Sequence, residues 1–292
     1  MAGRIQLKER NQLRRCYNFS MRYETIHNLN IPKVGFGTWS IGGHSAAEPA
    51  SDQRSLAALR SALELGYTHF DTAEIYSAGH CEELIGQAVR ASNIPRADLF
   101  ITSKVSPHHL SYNDVLRCCE NSLRRLDMDY LDLYLIHWPM VGANYAETFK
   151  ALNQLVREGK VCHLGVSNFN LKQLKQAAAL SETPLLTNQV PYSIPDQKYF
   201  KNGVLDYCQQ NNILVTAYTP VKHRYTAGNK ELKAAAEARG LSAHQLSIAW
   251  LTSQARVITI PMSGNPQHQR ENLEAGDIVL TTDEIEALRR QC

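Results

Sequence analysis

The 292-residue sequence lacks any apolar run close to the ~18 residues that a membrane-spanning helix needs. We therefore expect no membrane segment. Residues 1–20 also lack the apolar centre of a secretory signal, which favours a cytoplasmic location. Because they are rich in arginine and nearly free of acidic residues, they are predicted to be a flexible basic extension. A transit-type segment is the alternative.

The chain also has little net charge, which is +3 at pH 7. Basic residues are concentrated in residues 1–22, so the remainder of the chain is close to neutral. A nearly neutral body does not attract nucleic acid or an anionic membrane surface. We expect neither as a partner.

Cysteine is present but forms no recognisable framework. The seven cysteines are odd in number and scattered, and none belongs to a Cys-x-x-Cys pair. In a chain of this length that pattern favours reduced thiols over disulfides, and it shows no zinc spacing. No metal site is predicted. The cysteines are Cys16, Cys81, Cys118, Cys119, Cys162, Cys208 and Cys292.

From residue 21 onward, apolar β-type runs alternate with segments of helical periodicity. Eight such runs predict an α/β protein with eight parallel strands, the number that closes a (β/α)8 (TIM) barrel. The predicted strands are Val34–Trp39, Thr68–Thr72, Leu99–Val105, Leu131–His137, Val161–Ser167, Leu185–Gln189, Ile213–Tyr218 and Val257–Ile260. Tyr23–Ile31 predicts a hairpin that closes the bottom of the barrel. We expect one domain over residues 21–292.

An open, doubly wound sheet is the structural alternative. It is disfavoured because the first strand-to-helix turn has no Gly-x-Gly-x-x-Gly followed by an acidic residue. Among the connections, Tyr199–Gln210 is predicted to be one helix, and the loop after the seventh strand is expected to be short.

Polar or ionisable side chains follow one predicted strand after another, and in a barrel these strand ends form the active site. Each has an ordinary structural explanation when taken alone: a helix cap, a solvated lysine, a packed histidine or a loop tyrosine. Their joint occurrence at one face favours a functional site. The residues are Asp71, Tyr76, Lys104, His137, Ser167, Asn168, Gln189 and Tyr218.

Four of these residues make chemical sense as a proton-donating site. A tyrosine with an ordinary pKa near ~10 is a weak acid at neutral pH, and the Lys104 ammonium is expected to lower the pKa of Tyr76. Asp71 can hold that ammonium by ion pairing. His137 can donate a hydrogen bond that orients a carbonyl oxygen. With no acyl nucleophile and no metal ligands, such a site needs a cofactor that supplies a hydride.

From about Tyr23 to its end, the sequence resembles the aldo-keto reductase family. The motifs that carry the resemblance are Gly35-Phe36-Gly37-Thr38-Trp39, Phe70-Asp71-Thr72-Ala73-x-x-Tyr76, Ser103-Lys104, Asp132-Leu133-x-x-x-His137-Trp138-Pro139, Gly165-Val166-Ser167-Asn168-Phe169, Asn188-Gln189 and Ala217-Tyr218-Thr219-Pro220. Their order and spacing fit throughout. The short loops are similar to those of prokaryotic members that reduce methylglyoxal or diketogluconate.

The resemblance implies a barrel that reduces aldehydes or ketones with NADPH. By position, Tyr76 would be the general acid, Lys104 and Asp71 would tune it, and His137 would orient the carbonyl. Trp39 and Trp138 would line the substrate pocket with Tyr76 and His137. The residues implied to bind the cofactor are Gly37, Thr38, Asp71, Ser167, Asn168, Gln189, Tyr218, Thr219, Val221, Lys222, Ser263, His268, Glu271 and Asn272.

Two departures concern the adenosine 2′-phosphate. The family's lysine in this segment is Met262, and the arginine often found six residues later is His268, which is largely neutral at pH 7. Ser263, the Gly264–Asn265 backbone, the start of the following helix and Arg270 remain as partners for a phosphate. NADPH is thus the expected cofactor, and use of NADH becomes an option.

The loops after the fourth and seventh strands are short, so we expect an open pocket that takes small carbonyl compounds, in a monomer or weak homo-oligomer. The main alternative function is a nicotinamide-binding regulatory protein, like the channel β subunits that share this fold. A sugar-phosphate isomerase or aldolase would need a Gly-rich phosphate loop, for which Gly264 alone is weak evidence.

Overall fold

The computed structural model describes residues 21–290. The predicted basic extension over residues 1–20 lies outside them. Of the helices within residues 21–290, none has both the length and the apolar character that crossing a membrane requires.

Strands β1 (Tyr23–Ile26) and β2 (Leu29–Pro32) form the predicted hairpin, and they are antiparallel. Eight parallel strands follow, and each pairs with the next along the chain. They are β3 (Phe36–Gly37), β4 (His69–Asp71), β5 (Phe100–Val105), β6 (Leu131–Ile136), β7 (Val161–Ser167), β8 (Thr187–Pro191), β9 (Leu214–Tyr218) and β10 (Val257–Thr259).

Helices connect these strands and cover the outside of the sheet. They are α1 (Asp52–Glu64), α2 (His80–Ala91), α3 (Tyr112–Leu126), α4 (Tyr145–Arg157), α5 (Leu171–Leu180), α6 (Lys198–Lys201), α7 (Val204–Gln210), α8 (His223–Gly228), α9 (Lys230–Glu237), α10 (Ala243–Thr252), α11 (Pro266–Asp277) and α12 (Thr282–Arg289). Side-chain caps begin several of them. Ser111 accepts a hydrogen bond from Asp114 N at the start of α3, and Ser242 forms a capping box with Gln245 at the start of α10.

The sheet closes on itself between its first and last strands. Val34 pairs in parallel with Thr259, and Gly35 N donates a hydrogen bond to Thr259 O at 2.8 Å. A Cβ atom at Gly37 would lie 2.5 Å from Ile260 O, so this close approach requires glycine there. The (β/α)8 barrel is confirmed, and the open-sheet alternative is wrong.

The N-terminal hairpin covers the end of the barrel opposite the strand ends discussed below. Ile26 and Ile31 are buried in one apolar cluster with Leu133 in the first half of β6, Leu186 directly before β8 and Leu214 at the start of β9. Burial of these side chains stabilises the closed end through the hydrophobic effect. The predicted position of the hairpin is confirmed.

Two local predictions are wrong. The single helix expected over Tyr199–Gln210 is divided into α6 and α7, because Gly203 adopts a left-handed φ of 78° at the break. The loop after β9 holds a helix, α8, that the sequence analysis missed. Its segment His-Arg-Tyr-Thr-Ala-Gly offers no apolar periodicity, and Thr226 is its buried residue.

Candidate active site

The strand ends place four ionisable residues together at the C-terminal end of the barrel. Asp71 is the last residue of β4, Lys104 lies near the end of β5, and His137 directly follows β6. Tyr76 begins a short 3-10 turn after β4. The next two residues have left-handed backbone angles, so the chain turns sharply immediately after Tyr76.

Lys104 is fully buried and surrounded by oxygen acceptors. Its Nζ donates to Asp71 Oδ1 at 2.6 Å and to Thr72 O at 2.7 Å, and it lies 3.4 Å from the Tyr76 hydroxyl. Burial lowers the pKa of Lys104, but Asp71 and Tyr76 outweigh that effect and leave the pKa above its ordinary value. Lys104 therefore carries a positive charge next to the phenol.

The pKa of Tyr76 differs from the expectation. Burial raises it, the Lys104 charge lowers it, and the net pKa lies above the ordinary value. The lysine acts in the expected direction, but removal of the phenol from water is the larger effect. As a result the hydroxyl stays protonated at neutral pH and has a proton to donate.

His137 is buried and uncharged. Burial, together with the nearby Lys104 charge, lowers the pKa of His137 to about 3. Its Nδ1 atom is buried without a hydrogen-bond partner. The ring meets that of Tyr76 edge to face, with centroids 5.6 Å apart. A neutral imidazole in this position can donate one hydrogen bond without carrying a charge.

Four of the residues that the resemblance implies for the cofactor form one connected network. Asn168 Nδ2 donates to Ser167 Oγ at 2.9 Å and to His137 O at 3.1 Å. Asn168 Oδ1 accepts from the Tyr218 hydroxyl at 2.8 Å, and Ser167 Oγ donates to Gln189 O at 2.8 Å. Asn168 has a left-handed φ of 66°, a strained conformation often found at functional sites.

This network is joined to the buried ion pair, a link that the sequence analysis missed. Gln189 Nε2 donates to Asp71 Oδ2 at 2.7 Å. Thr38 also holds Asp71 in place, because its hydroxyl donates a hydrogen bond to Asp71 O at 2.8 Å. The Thr38 side chain is fully buried. Through this hydrogen bond it supports the strand that carries Asp71.

Large apolar side chains surround the opening of this site. Trp39 is 60% exposed and Trp138 is 46% exposed, and Ile75 lies beside Tyr76 in the same loop region. Where exposed apolar side chains form a contiguous patch, they mark a binding surface. The partly exposed Tyr218 ring is held at its hydroxyl by Asn168. These residues fit a flat aromatic cofactor ring and a small organic substrate.

The segment that follows Met262 is held by local hydrogen bonds. Asn265 Oδ1 accepts from Gln267 N at 2.8 Å and from His268 N at 3.4 Å. Ser263 Oγ accepts from Asn265 N at 3.1 Å. The Gln267 and His268 amides at the start of α11 thus already donate to the Asn265 side chain, and a phosphate there would compete with this helix cap.

Other predicted cofactor residues lie in the connection after β9 and on α11. Lys222 pairs with Asp196 at 2.8 Å, so its charge is partly neutralised. Glu271 accepts a hydrogen bond from Gln267 Nε2 at 3.0 Å. Thr219 is exposed and Val221 partly buried in the connection from β9 to α8, while Asn272 lies on α11 beside the buried Tyr67 hydroxyl.

Gln269 is a further residue that the sequence analysis missed. It is fully buried, and its Nε2 donates to Ser263 O at 2.8 Å and to Ala58 O at 3.0 Å. It therefore fixes the Met262 segment against α1. A glutamine on a helix gives no sequence signal for such a tether.

An eight-stranded barrel with a tyrosine, lysine, aspartate and histidine at its strand ends defines an oxidoreductase of the carbonyl-reducing type. The Aldo/keto reductase family model matches residues 33–291, and the chain belongs to this family. It is an aldo-keto reductase, an enzyme that reduces aldehyde or ketone groups.

Characterised relatives are similar over most of their length. Methylglyoxal reductase YeaE of Escherichia coli is 35% identical over 268 residues, which cover 89% of this chain and 91% of that protein. Glyoxal reductase of Bacillus subtilis is 33% identical over 270 residues, covering 91% and 92%.

Solved structures agree with the fold. The thermostable aldo-keto reductase Tm1743, in complex with epalrestat, superimposes with a TM-score of 0.88 at 40% identity, covering 93% of this chain and 100% of that one. An aldo/keto reductase from Klebsiella pneumoniae, in complex with NADP and acetate, gives a TM-score of 0.81 at 35% identity, covering 93% and 95%.

Proposed function

We propose that this enzyme reduces small aldehydes and ketones to alcohols with a nicotinamide cofactor, and that Tyr76 is the proton donor. The observation that carries the proposal is the buried chain of contacts from Asp71 through Lys104 Nζ to the Tyr76 hydroxyl, with distances of 2.6 and 3.4 Å. Such a chain provides a phenol together with a fixed positive charge beside it.

Each of the four residues has one role in this mechanism. The neutral His137 ring donates a hydrogen bond that orients the carbonyl oxygen. A nicotinamide held by Ser167, Asn168 and Gln189 would supply the hydride that the carbonyl carbon needs. Tyr76 then transfers its hydroxyl proton to the alkoxide oxygen as it develops, and the Lys104 ammonium stabilises the phenolate that remains. Asp71 keeps the ammonium charged and in place.

The same proposal assigns the cofactor-binding residues. Ser167, Asn168 and Gln189 would hold the carboxamide, and Tyr218 would offer its ring face to the nicotinamide. Trp39 and Trp138 would form apolar walls for the substrate. The remaining residues assigned to the cofactor are Gly37, Thr38, Thr219, Val221, Lys222, Ser263, His268, Glu271 and Asn272.

For the cofactor we propose NADPH, with NADH used as well. Complexes of the Klebsiella pneumoniae relative with NADP and with NADPH support the first part. The second part rests on Met262, which cannot pair with a phosphate, and on Asn265, which already engages the amides at the start of α11. An enzyme with few 2′-phosphate partners gains little from that phosphate.

For the substrate we propose short dicarbonyl compounds of the methylglyoxal type. The exposed rim of Trp39 and Trp138 supports an open pocket, and the names of the Escherichia coli and Bacillus subtilis relatives support this substrate class. A cytoplasmic, monomeric or weakly oligomeric enzyme with one domain over residues 21–292 belongs to the same proposal. A purely regulatory role, as in channel β subunits, is not favoured by these reductase relatives.

Initial rates of cofactor oxidation test the proposal. Methylglyoxal, glyoxal, a simple aldehyde and a keto-sugar would be compared with NADPH and with NADH. We expect turnover with both cofactors and the highest kcat/KM for the dicarbonyl compounds. Absence of turnover with every carbonyl, in protein that still binds NADPH, would overturn the proposed activity and favour the regulatory role.

A further inference from the structure

Three potential metal ligands meet beside the catalytic loop, at a place that carbonyl reduction does not use. Glu74 lies in the loop after β4, His109 in the loop after β5, and Cys118 on α3. One ligand atom from each, a carboxylate oxygen, an imidazole nitrogen and the thiol sulfur, lies within 4.8 Å of the other two. We call these three residues the Glu74 cluster.

We propose that the Glu74 cluster binds a divalent transition-metal cation of the Zn²⁺ type. Carboxylate, imidazole and thiolate are the ligands that Zn²⁺ takes in proteins, and three of them with a water complete a four-coordinate site. The combination of a sulfur with a nitrogen and an oxygen ligand disfavours Mg²⁺ and Ca²⁺, which prefer oxygen alone.

The spacing of the ligand atoms suits such an ion. With metal–ligand bonds of about 2.0–2.3 Å, neighbouring ligand atoms in a tetrahedron are separated by about 3.3–3.7 Å. His109 Nδ1 is now 2.9 Å from Glu74 Oε1, as in a hydrogen bond. Insertion of the cation therefore needs this pair to separate by a few tenths of an ångström, while the thiol sulfur, within 4.8 Å of both atoms, has to move closer to them by at most about 1.5 Å.

Charge and burial also suit a divalent cation. The Glu74 side chain is 8% exposed and Cys118 is 2% exposed, whereas His109 is 42% exposed and opens the cluster to solvent. One carboxylate and one thiolate together carry two negative charges, which the cation cancels. A site that is neutral after binding avoids the cost of a net charge in this mostly buried place.

Cation binding at the Glu74 cluster displaces one proton. An ordinary cysteine thiol is mostly protonated at neutral pH, so the free cluster holds the thiol proton. Binding forms a metal–sulfur bond and releases that proton to solvent. His109 binds through Nδ1 and carries its remaining ring proton on Nε2. Ser106 N donates to Glu74 Oε1 at 2.6 Å and holds the carboxylate in orientation.

The sequence analysis predicted no metal site because these ligands show no short spacing. They come from two loops and a helix and meet only in the folded barrel. Because Glu74 lies between Asp71 and Tyr76 in the chain, a bound cation would fix the segment that carries the phenol. The inference does not depend on the proposed substrate or cofactor.

Titration of the full chain with Co²⁺, as a spectroscopic probe for Zn²⁺, tests the inference. We expect a thiolate-to-cobalt charge-transfer band in the near ultraviolet that saturates at one Co²⁺ per chain and disappears when Zn²⁺ is added. Zn²⁺ binding in weak buffer should release about one proton per chain. The band should be absent in Cys118→Ser and unchanged in Cys162→Ser, which alters an exposed cysteine elsewhere.

A second pair of variants guards against a loss of folding in Cys118→Ser. His109→Gln changes a half-exposed side chain and should raise the Kd for Co²⁺ by about tenfold or more. His108→Gln, which alters the adjacent exposed histidine, should leave the Kd unchanged. No charge-transfer band in the wild type, the same band in Cys118→Ser, or equal Kd values for the two histidine variants would overturn the inference.

Discussion

Gln189 Nε2 donates a hydrogen bond to Asp71 Oδ2 at 2.7 Å, and Lys104 Nζ donates to the other oxygen of the same carboxylate at 2.6 Å. Both oxygens of a buried aspartate are thus satisfied, one by a residue of the neighbouring strand β5 and the other by a residue of β8. Gln189, which we assign to the cofactor's carboxamide, also holds the carboxylate that positions the lysine. In the proposed mechanism, cofactor binding and proton donation therefore share one hydrogen-bond network.

The first prediction follows from this shared residue. Gln189→Met keeps most of the side-chain volume but removes the donor to Asp71 Oδ2, so a buried carboxylate oxygen loses its partner. We expect the free energy of unfolding in urea to fall by about 1–3 kcal/mol. Gln210→Met, at an exposed helix end, is the matched control and should change it by less than about 0.5 kcal/mol. Equal effects of the two variants would contradict the role of this hydrogen bond.

The second prediction concerns the choice of cofactor. Met262→Lys places an ammonium where the family pairs with the 2′-phosphate, and a charge-assisted hydrogen bond contributes about 1.5–3 kcal/mol. We expect the ratio of kcat/KM for NADPH to that for NADH to rise by about ten- to a hundredfold. Met262→Leu, which adds no charge, should leave the ratio near that of the wild type. A wild-type ratio already strongly in favour of NADPH and unaltered by Met262→Lys would show that phosphate recognition lies elsewhere.

The third prediction concerns the dependence of stability on pH. The folded-state pKa of His137 is about 3, against an ordinary value of 6.5, so between these values the unfolded chain binds a proton that the folded chain does not. Stability should therefore decrease as the pH falls below about 6.5. His137→Gln removes this contribution, and the acid decrease should become shallower by up to about 1.4 kcal/mol per pH unit.

Urea unfolding between about pH 7 and pH 5 measures this slope. The stability of His137→Gln will still decrease somewhat as the pH falls, because burial also lowers the pKa of His69 to about 4. The exposed His108, changed to glutamine, is the control. An unchanged slope in His137→Gln would mean that His137 is not held neutral in the folded protein.

The sequence predicted the barrel because its two signals are local: apolar runs for the strands and helical periodicity between them. The same signals placed Asp71, Lys104 and His137 at the C-terminal ends of strands. In a parallel barrel these strand ends all lie at one end of the barrel. The bond from Gln189 to Asp71 joins residues 118 positions apart, and no local pattern encodes it. Likewise, the raised pKa of Tyr76 depends on how completely the phenol is buried, which only the packed structure shows.

Two further differences between the sequence analysis and the structure concern the start of α11 and the helix α8. Asn265 engages the amides at the start of α11, which a sequence motif leaves free for a phosphate. The α8 helix forms although its residues have no apolar period, and tertiary contacts such as that of His223 with His244 of α10 support it.

The central claim is that the Tyr76 hydroxyl donates the proton. Tyr76→Phe removes that oxygen and keeps the ring, so cofactor binding should be unaffected while carbonyl reduction slows. We expect single-turnover reduction of methylglyoxal to slow by about 10²–10⁴-fold, with the Kd for NADPH, measured by fluorescence, within about twofold of the wild type. A Tyr76→Phe variant that binds NADPH normally and reduces methylglyoxal at the wild-type rate would contradict the claim.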